Sequence, residues 1–143
     1  MFRQLDETIS VAPQISTDAV AAAAQQGVKL IINNRPDGES EDQTEGNAIE
    51  AAARAAGIDY VAIPVTHAGF SEWQVTAMGD ALANATGPVL AYCRSGTRST
   101  LLWALSQAAK GEHPAVLSEK AARAGYDLSS IGQMMDMLRP KPS

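Results

Sequence analysis

A chain of 143 residues with a formal charge of −5, a pI near 4.9 and 45% hydrophobic residues is sized for one globular domain, spanning 1–143, with a sizeable core. No lysine–arginine stripe runs along it, which excludes a nucleic-acid or acidic-membrane surface from expectation, and no stretch approaches the roughly 20 apolar residues of a membrane span. The segment Met1–Glu7 lacks the apolar core of a signal peptide and Cys93 is the sole cysteine, so the expectation is a cytoplasmic protein without an internal disulfide.

Ile9–Ala12 reads as a short strand, and Ser16, Thr17 and Asp18 offer caps to an alanine-rich helix that runs to Gln26 and stops at Gly27. Val28–Asn33 is a second strand, apolar enough to be buried, and it ends in the turn formers Asn34-Arg35-Pro36-Asp37-Gly38-Glu39. An acidic loop through Glu41 and Asp42 leads to a helix over about 45–56, closed by Gly57, and then to a strand Tyr60–Ile63 ended by Pro64. Residues 65–70 form a loop, Ser71 caps a helix over 72–84, and Gly87-Pro88 opens a strand that reaches Tyr92. A helix from Ser99 to about Gly111 and two more, 114–124 and 130–138, complete the domain, with 139–143 expected to fray. Strands alternating with long helices predict an α/β fold: a mostly parallel central sheet with helices on both faces. Functional loops then gather at the carboxyl ends of the strands, here 34–43, 64–70 and 93–98.

Cys93 sits where the apolar run Pro88–Tyr92 ends and the small-residue turn Arg94-Ser95-Gly96-Thr97-Arg98-Ser99 begins. A helix amino end attracts anions, Gly96 relieves the tight backbone, and the N–H groups of 94–99 can converge on one bound anion. With Arg94 and Arg98 beside it, this is the environment that favours a cysteine as thiolate, the nucleophilic form. The plain alternative is that Cys93 is a small buried hydrophobe and the arginines are merely solvated. Cys93 and Arg98 are therefore the catalytic candidates, with Arg94, Ser95, Gly96, Thr97 and Ser99 as the anion-binding loop and Ser99 expected to hydrogen-bond the Cys93 sulfur.

From Ser10–Ile15, through Gly27–Glu39, to Gly87–Trp103, the chain resembles the cysteine phosphatase superfamily with its dual-specificity-phosphatase-like fold. More closely, it resembles the small DUF442-type domain found alone or fused to beta-lactamase-like hydrolases, whose members are described both as phosphatase-like and as sulfur transferases. Cysteine phosphatases carry Cys-x5-Arg, usually after a His; here Arg98 follows Cys93 after four residues, and Tyr92 precedes it. The Cys-x4-Arg wording resembles the active loop of rhodaneses, which carry sulfur as a persulfide. A shorter ring of donors suits a terminal sulfur better than a phosphoryl group, and no Asp in 64–70 supplies the acid that a phosphatase needs. These features put a sulfurtransferase working through a Cys93 persulfide first, a phosphatase working through a Cys93 phosphocysteine as the alternative, and a non-catalytic anion-binding module third.

The remaining candidates are accessory. His67 is equally an acid or substrate ligand and a solvated loop residue; Asp37 or Asp42 could reach the site from the other loop; Asn34-Arg35-Pro36-Asp37 better suits a structural turn held by its own hydrogen bonds, with Arg35 paired to an acidic neighbour. Trp73 and Trp103 are expected to pack on helix faces, and Met134, Met135 and Met137 to form core or partner surface. One Cys with His67 and His113 lacks metal-ligand spacing, so no metal and no cofactor are expected. The expected partner is a small anionic substrate, namely thiosulfate, a persulfide or a phosphoester, with a sulfur-metabolism hydrolase as a protein partner and no nucleic acid or membrane.

Overall fold

The computed structural model describes residues 2–140. Five strands form one sheet in the order β1-β2-β5-β3-β4: β1 Arg3–Gln4, β2 Ile9–Ala12, β3 Leu30–Asn33, β4 Asp59–Ala62 and β5 Val89–Tyr92. All neighbours are parallel except β1, which runs antiparallel to β2. The helices are α1 Thr17–Gln25, α2 Gly46–Ala55, α3 Glu72–Asn84, α4 Thr97–Ala109, α5 Pro114–Arg123 and α6 Gly132–Leu138, the last entered through a 3-10 turn at Ser129–Ile131.

The side-chain alternation of β5 sorts the core into two layers. Leu90 and Tyr92 pack with Ile31 against Val20 and Ala23 of α1 and Ile49 and Ala53 of α2. Val89 and Ala91 pack with Ile32 against Met78 of α3, Leu102 and Trp103 of α4, Leu117 of α5 and Met135 of α6. Both sheet faces are thus covered, which explains why β3 and β5 are buried throughout, with apolar runs Leu30–Ile32 and Val89–Tyr92. Ala12, Tyr92, Asn33 and Ala62 lie in one row across β2, β5, β3 and β4. Backbone bonds carry the row one residue further, from Asn34 N to Tyr92 O at 2.8 Å and from Ile63 N to Asn33 O at 2.9 Å. The loops after β3, β4 and β5 therefore leave the sheet side by side at the carboxyl ends of the strands.

Local chemistry sets the element ends. Ser16 accepts from Ala19 N at 3.2 Å to cap α1, and Ser71 with Gln74 forms a capping box on α3. His113 caps α5 through Nδ1, which accepts from Ala115 N at 3.0 Å. Strand β1 was not expected: two exposed residues with no apolar pattern leave no signal, and only pairing with β2 defines them. Trp103 is buried as expected, whereas Trp73 is 55% exposed, because it lies in the first turn of α3 on the face turned away from the core. Met135 is buried while Met137 is 76% exposed, so the methionines divide between core and surface. Of the expected frayed tail, Arg139 still bonds from its N–H to Met135 O at 3.1 Å, and 141–143 lie outside the described residues. No described helix is long and apolar enough to cross a membrane.

Ile31, fully buried between β5 and the α1–α2 layer, is a direct probe of this packing. Ile31→Ala should lower unfolding free energy by about 2–5 kcal/mol in urea denaturation, the cost of a buried cavity.

Candidate active site

Cys93 follows the last residue of β5 and is fully buried, with its N–H donated to Ala12 O at 3.3 Å. From there the chain must reverse sharply into α4. Gly96 makes that turn at φ +90°, the left-handed region that a side chain would strain, and its N–H donates to Cys93 Sγ at 3.1 Å. Helix α4 begins at Thr97, two residues before the expected start, because Gly96 itself serves as the N-cap. Ser95 Oγ accepts from Thr97 N at 3.3 Å, and Thr100 Oγ1 donates back to Gly96 O at 2.8 Å, so the turn is fastened from both sides. Among the described residues, the backbone N–H groups of Arg94, Ser95, Arg98 and Ser99 have no acceptor. The Arg94 side chain is exposed, and its carbonyl accepts from Gln14 N at 3.3 Å.

Arg98 is held from two sides. Its Nη1 donates to Glu39 Oε2 at 2.8 Å and to Val65 O at 2.7 Å, and its Nη2 donates to Glu39 Oε1 at 2.8 Å. A guanidinium has five N–H groups, so these bonds leave Nε–H and one Nη2–H, the adjacent pair along one edge of the fork. Glu39 also accepts from Arg35 Nε at 3.0 Å. Arg35 in turn reaches Gln14 Oε1 at 3.0 Å and Ser40 Oγ at 3.2 Å, which ties the loop after β2 to the loop after β3. The Glu39 carboxyl is drawn down from its ordinary 4.5 to about 2, chiefly by the Arg98 hydrogen bonds and then by those of Arg35, against the opposing effect of burial. Arg98 is held more firmly charged by Glu39 first and by the Cys93 sulfur as well, while its own burial opposes this.

Other candidates fall differently. The Ser99 hydroxyl donates to Asn34 Oδ1 at 2.8 Å, not to Cys93, because the Asn34 amide is fixed by its own bond from Nδ2 to Ile63 O at 2.9 Å. Asp37 is exposed and its carboxylate accepts from Gly46 N at 2.8 Å, at the amino end of α2. Arg35 pairs with an acidic neighbour as expected, and that neighbour is Glu39. His67 is exposed on the loop whose Val65 carbonyl meets Arg98. Glu39 itself escapes the sequence reading, although a partly buried arginine calls for a counterion and this glutamate stands in one of the three converging loops. Tyr126, whose hydroxyl donates to Ser95 O at 3.1 Å, left no signal, since it stands 31 residues from the loop it touches.

The acid response of the fold follows from Glu39. Its folded-state pKa is depressed, so its contribution to stability is complete above about pH 4.5 and is lost as pH falls towards 2. Glu39→Gln should flatten the acid limb of the stability profile over that window, measured by thermal unfolding at closely spaced pH.

Residues 1–110 match the family model described as the phosphatase-like domain of beta-lactamase hydrolase-like protein. A beta-lactamase hydrolase-like protein of Xylella fastidiosa is 38% identical over 125 residues, which cover 87% of this chain and 29% of the relative. This chain thus spans less than a third of the length of that curated relative. A crystal structure from Neisseria meningitidis, of a protein proposed to be a phosphatase, superposes with a TM-score of 0.84 at 35% identity, covering 96% of this chain and 97% of that one. PTPMT1 superposes with a TM-score of 0.73 at 12% identity over 96% of each chain, a likeness of fold alone. With the α/β architecture and the Cys93 loop, these matches identify the chain as a member of the family of beta-lactamase hydrolase-like phosphatase-like domains, built on the cysteine phosphatase fold.

Proposed function

We propose that the domain is a cysteine-based phosphatase acting on phosphomonoesters through Cys93. The observation that carries the reading is the free edge of Arg98. Two parallel N–H donors on one planar group match two oxygens of a phosphoryl group both in the ester and on the phosphocysteine, whereas the oxygens of thiosulfate leave with sulfite and a Cys93 persulfide then presents a single terminal sulfur. This reverses the order suggested by the four-residue spacing, and the family match favours the same side.

In this reading the Cys93 sulfur attacks phosphorus while the Arg98 edge and the unoccupied N–H groups of the loop hold the non-bridging oxygens. The sulfur–phosphorus bond forms as the ester oxygen–phosphorus bond breaks, and the departing alkoxide takes a proton. His67 is the residue we assign to that transfer, since Asp37 is engaged in capping α2 and no aspartate stands in 64–70. Water then cleaves the phosphocysteine and releases phosphate. Sulfur transfer is the second reading, supported by the Cys-x4-Arg spacing, and it needs no such acid because sulfite or a thiolate leaves readily.

One preparation assayed with p-nitrophenyl phosphate, and with thiosulfate plus cyanide, decides between them, with Cys93→Ser as the blank. The expected result is Cys93-dependent phosphate release that exceeds thiocyanate formation; Cys93-dependent thiocyanate formation alone would restore the sulfur reading. Arg98→Lys should lower kcat/KM by roughly 100-fold, as loss of a bidentate contact to the transition state, and Arg94→Lys by only a few-fold. Equal losses in the two variants would mean that the arginines act as charge alone.

A further inference from the structure

The peptide unit between Ser95 and Gly96 faces two ways. Its N–H points to Cys93 Sγ at 3.1 Å, and its carbonyl accepts from the Tyr126 hydroxyl at 3.1 Å. A trans peptide is planar, so these two groups point in opposite directions and the orientation of one fixes the other. Were the unit to flip, its carbonyl would face the sulfur and its N–H would face the Tyr126 hydroxyl. Gly96, at φ +90° and without a Cβ, is the residue at which such a flip meets the least steric resistance.

We propose that Tyr126 is a positioning residue that locks the Ser95–Gly96 peptide with its N–H on the Cys93 sulfur, and so keeps the nucleophile paired with a backbone donor. The inference rests on the reading of Cys93 as nucleophile. Several contacts fit a lock. A Cβ on Gly96 would fall on the Tyr126 hydroxyl, so the phenol closes directly over the turn. Gly125 turns the chain at φ +92° just before Tyr126, and the Arg3 guanidinium lies 5.5 Å from the centre of the Tyr126 ring while its Nη1 donates to Ala124 O at 3.0 Å. A residue of the short antiparallel strand β1 thus packs over the ring. Burial raises the phenol above its ordinary pKa of 10.0, against Arg3 and with the Cys93 sulfur, so the hydroxyl is a donor at neutral pH. Tyr126 also lies beyond residue 110, where the family match ends, so the segment after α4 completes the loop's geometry.

Tyr126→Phe removes the hydroxyl and leaves the ring under Arg3. Two readouts follow the peptide itself, the Gly96 amide resonance in a 15N-labelled sample and the rate of Cys93 alkylation by iodoacetamide at pH 7, both taken well below the thermal midpoint. The expected result is a displaced Gly96 resonance and alkylation slowed by about tenfold, the scale of one hydrogen bond to a charged group. A Gly96 resonance or an alkylation rate at its wild-type value would overturn the proposal, whatever happens to the thermal midpoint. Neither readout uses a phosphoester, so a protein inactive towards phosphoesters would defeat the reaction assigned above without touching this test.

Discussion

Arg98 stands in the first turn of α4, where the exposed N–H groups of the helix already carry partial positive charge and a cation is unfavourable. The ion pair with Glu39 resolves that conflict. By taking one end of the guanidinium fork, with Val65 O on the flank, it offsets part of the excess charge and fixes the plane of the group, so the remaining edge is directed and not merely charged. The pair is not a closed neutral unit, because Arg35 shares the same carboxylate; two guanidiniums on one Glu39 leave the cluster net positive beside the Cys93 turn. With side-chain exposures of 4% for Arg35, 16% for Arg98 and 18% for Glu39, the network is shielded well enough that its geometry persists where a surface pair would drift.

The sheet makes this clasp possible. Strands β5 and β3 are adjacent and in register, so the loops that follow them start one strand apart, and Glu39 and Arg98 meet across 59 residues of sequence. Asn34 secures the same junction from beneath, taking the Ser99 hydroxyl on its carbonyl and giving its amide to Ile63. Loop after β3, loop after β4 and the turn after β5 are thus joined by polar bonds over a core that is apolar on both faces. Removing one bond leaves a buried group without a partner, which costs more than the bond itself contributes.

Much of this was legible in the sequence because its signals are local. Apolar runs ended by turn formers locate β2, β3 and β5, alanine-rich stretches between caps and glycines locate α1 and α2, and the passage from Tyr92 through Cys93 to Arg98 marks the tight strand-to-helix turn at Gly96. What escaped was non-local. Strand β1 exists only through its pairing with β2; sequence proximity places Ser99 beside the sulfur and says nothing about Asn34 arriving from another strand; and Glu39 reads as one more acid in an acidic loop. The start of α4 was misplaced by two residues because nothing in the sequence says that Gly96 already has the left-handed backbone of the N-cap. Tyr126 is the extreme case, reaching the turn from a segment that shares no pattern with it.

Glu39 acts on Arg98 through geometry, by holding the plane of the guanidinium. Charge alone predicts the opposite sign, since removing a carboxylate beside an anion site should strengthen anion binding. Titration of inorganic phosphate into the wild-type protein and into Glu39→Gln by calorimetry, at constant ionic strength, separates the two directly. The clasp predicts weaker binding in Glu39→Gln, by roughly tenfold for the loss of a charged hydrogen-bond pair. Phosphate bound as tightly or more tightly by Glu39→Gln would contradict the account.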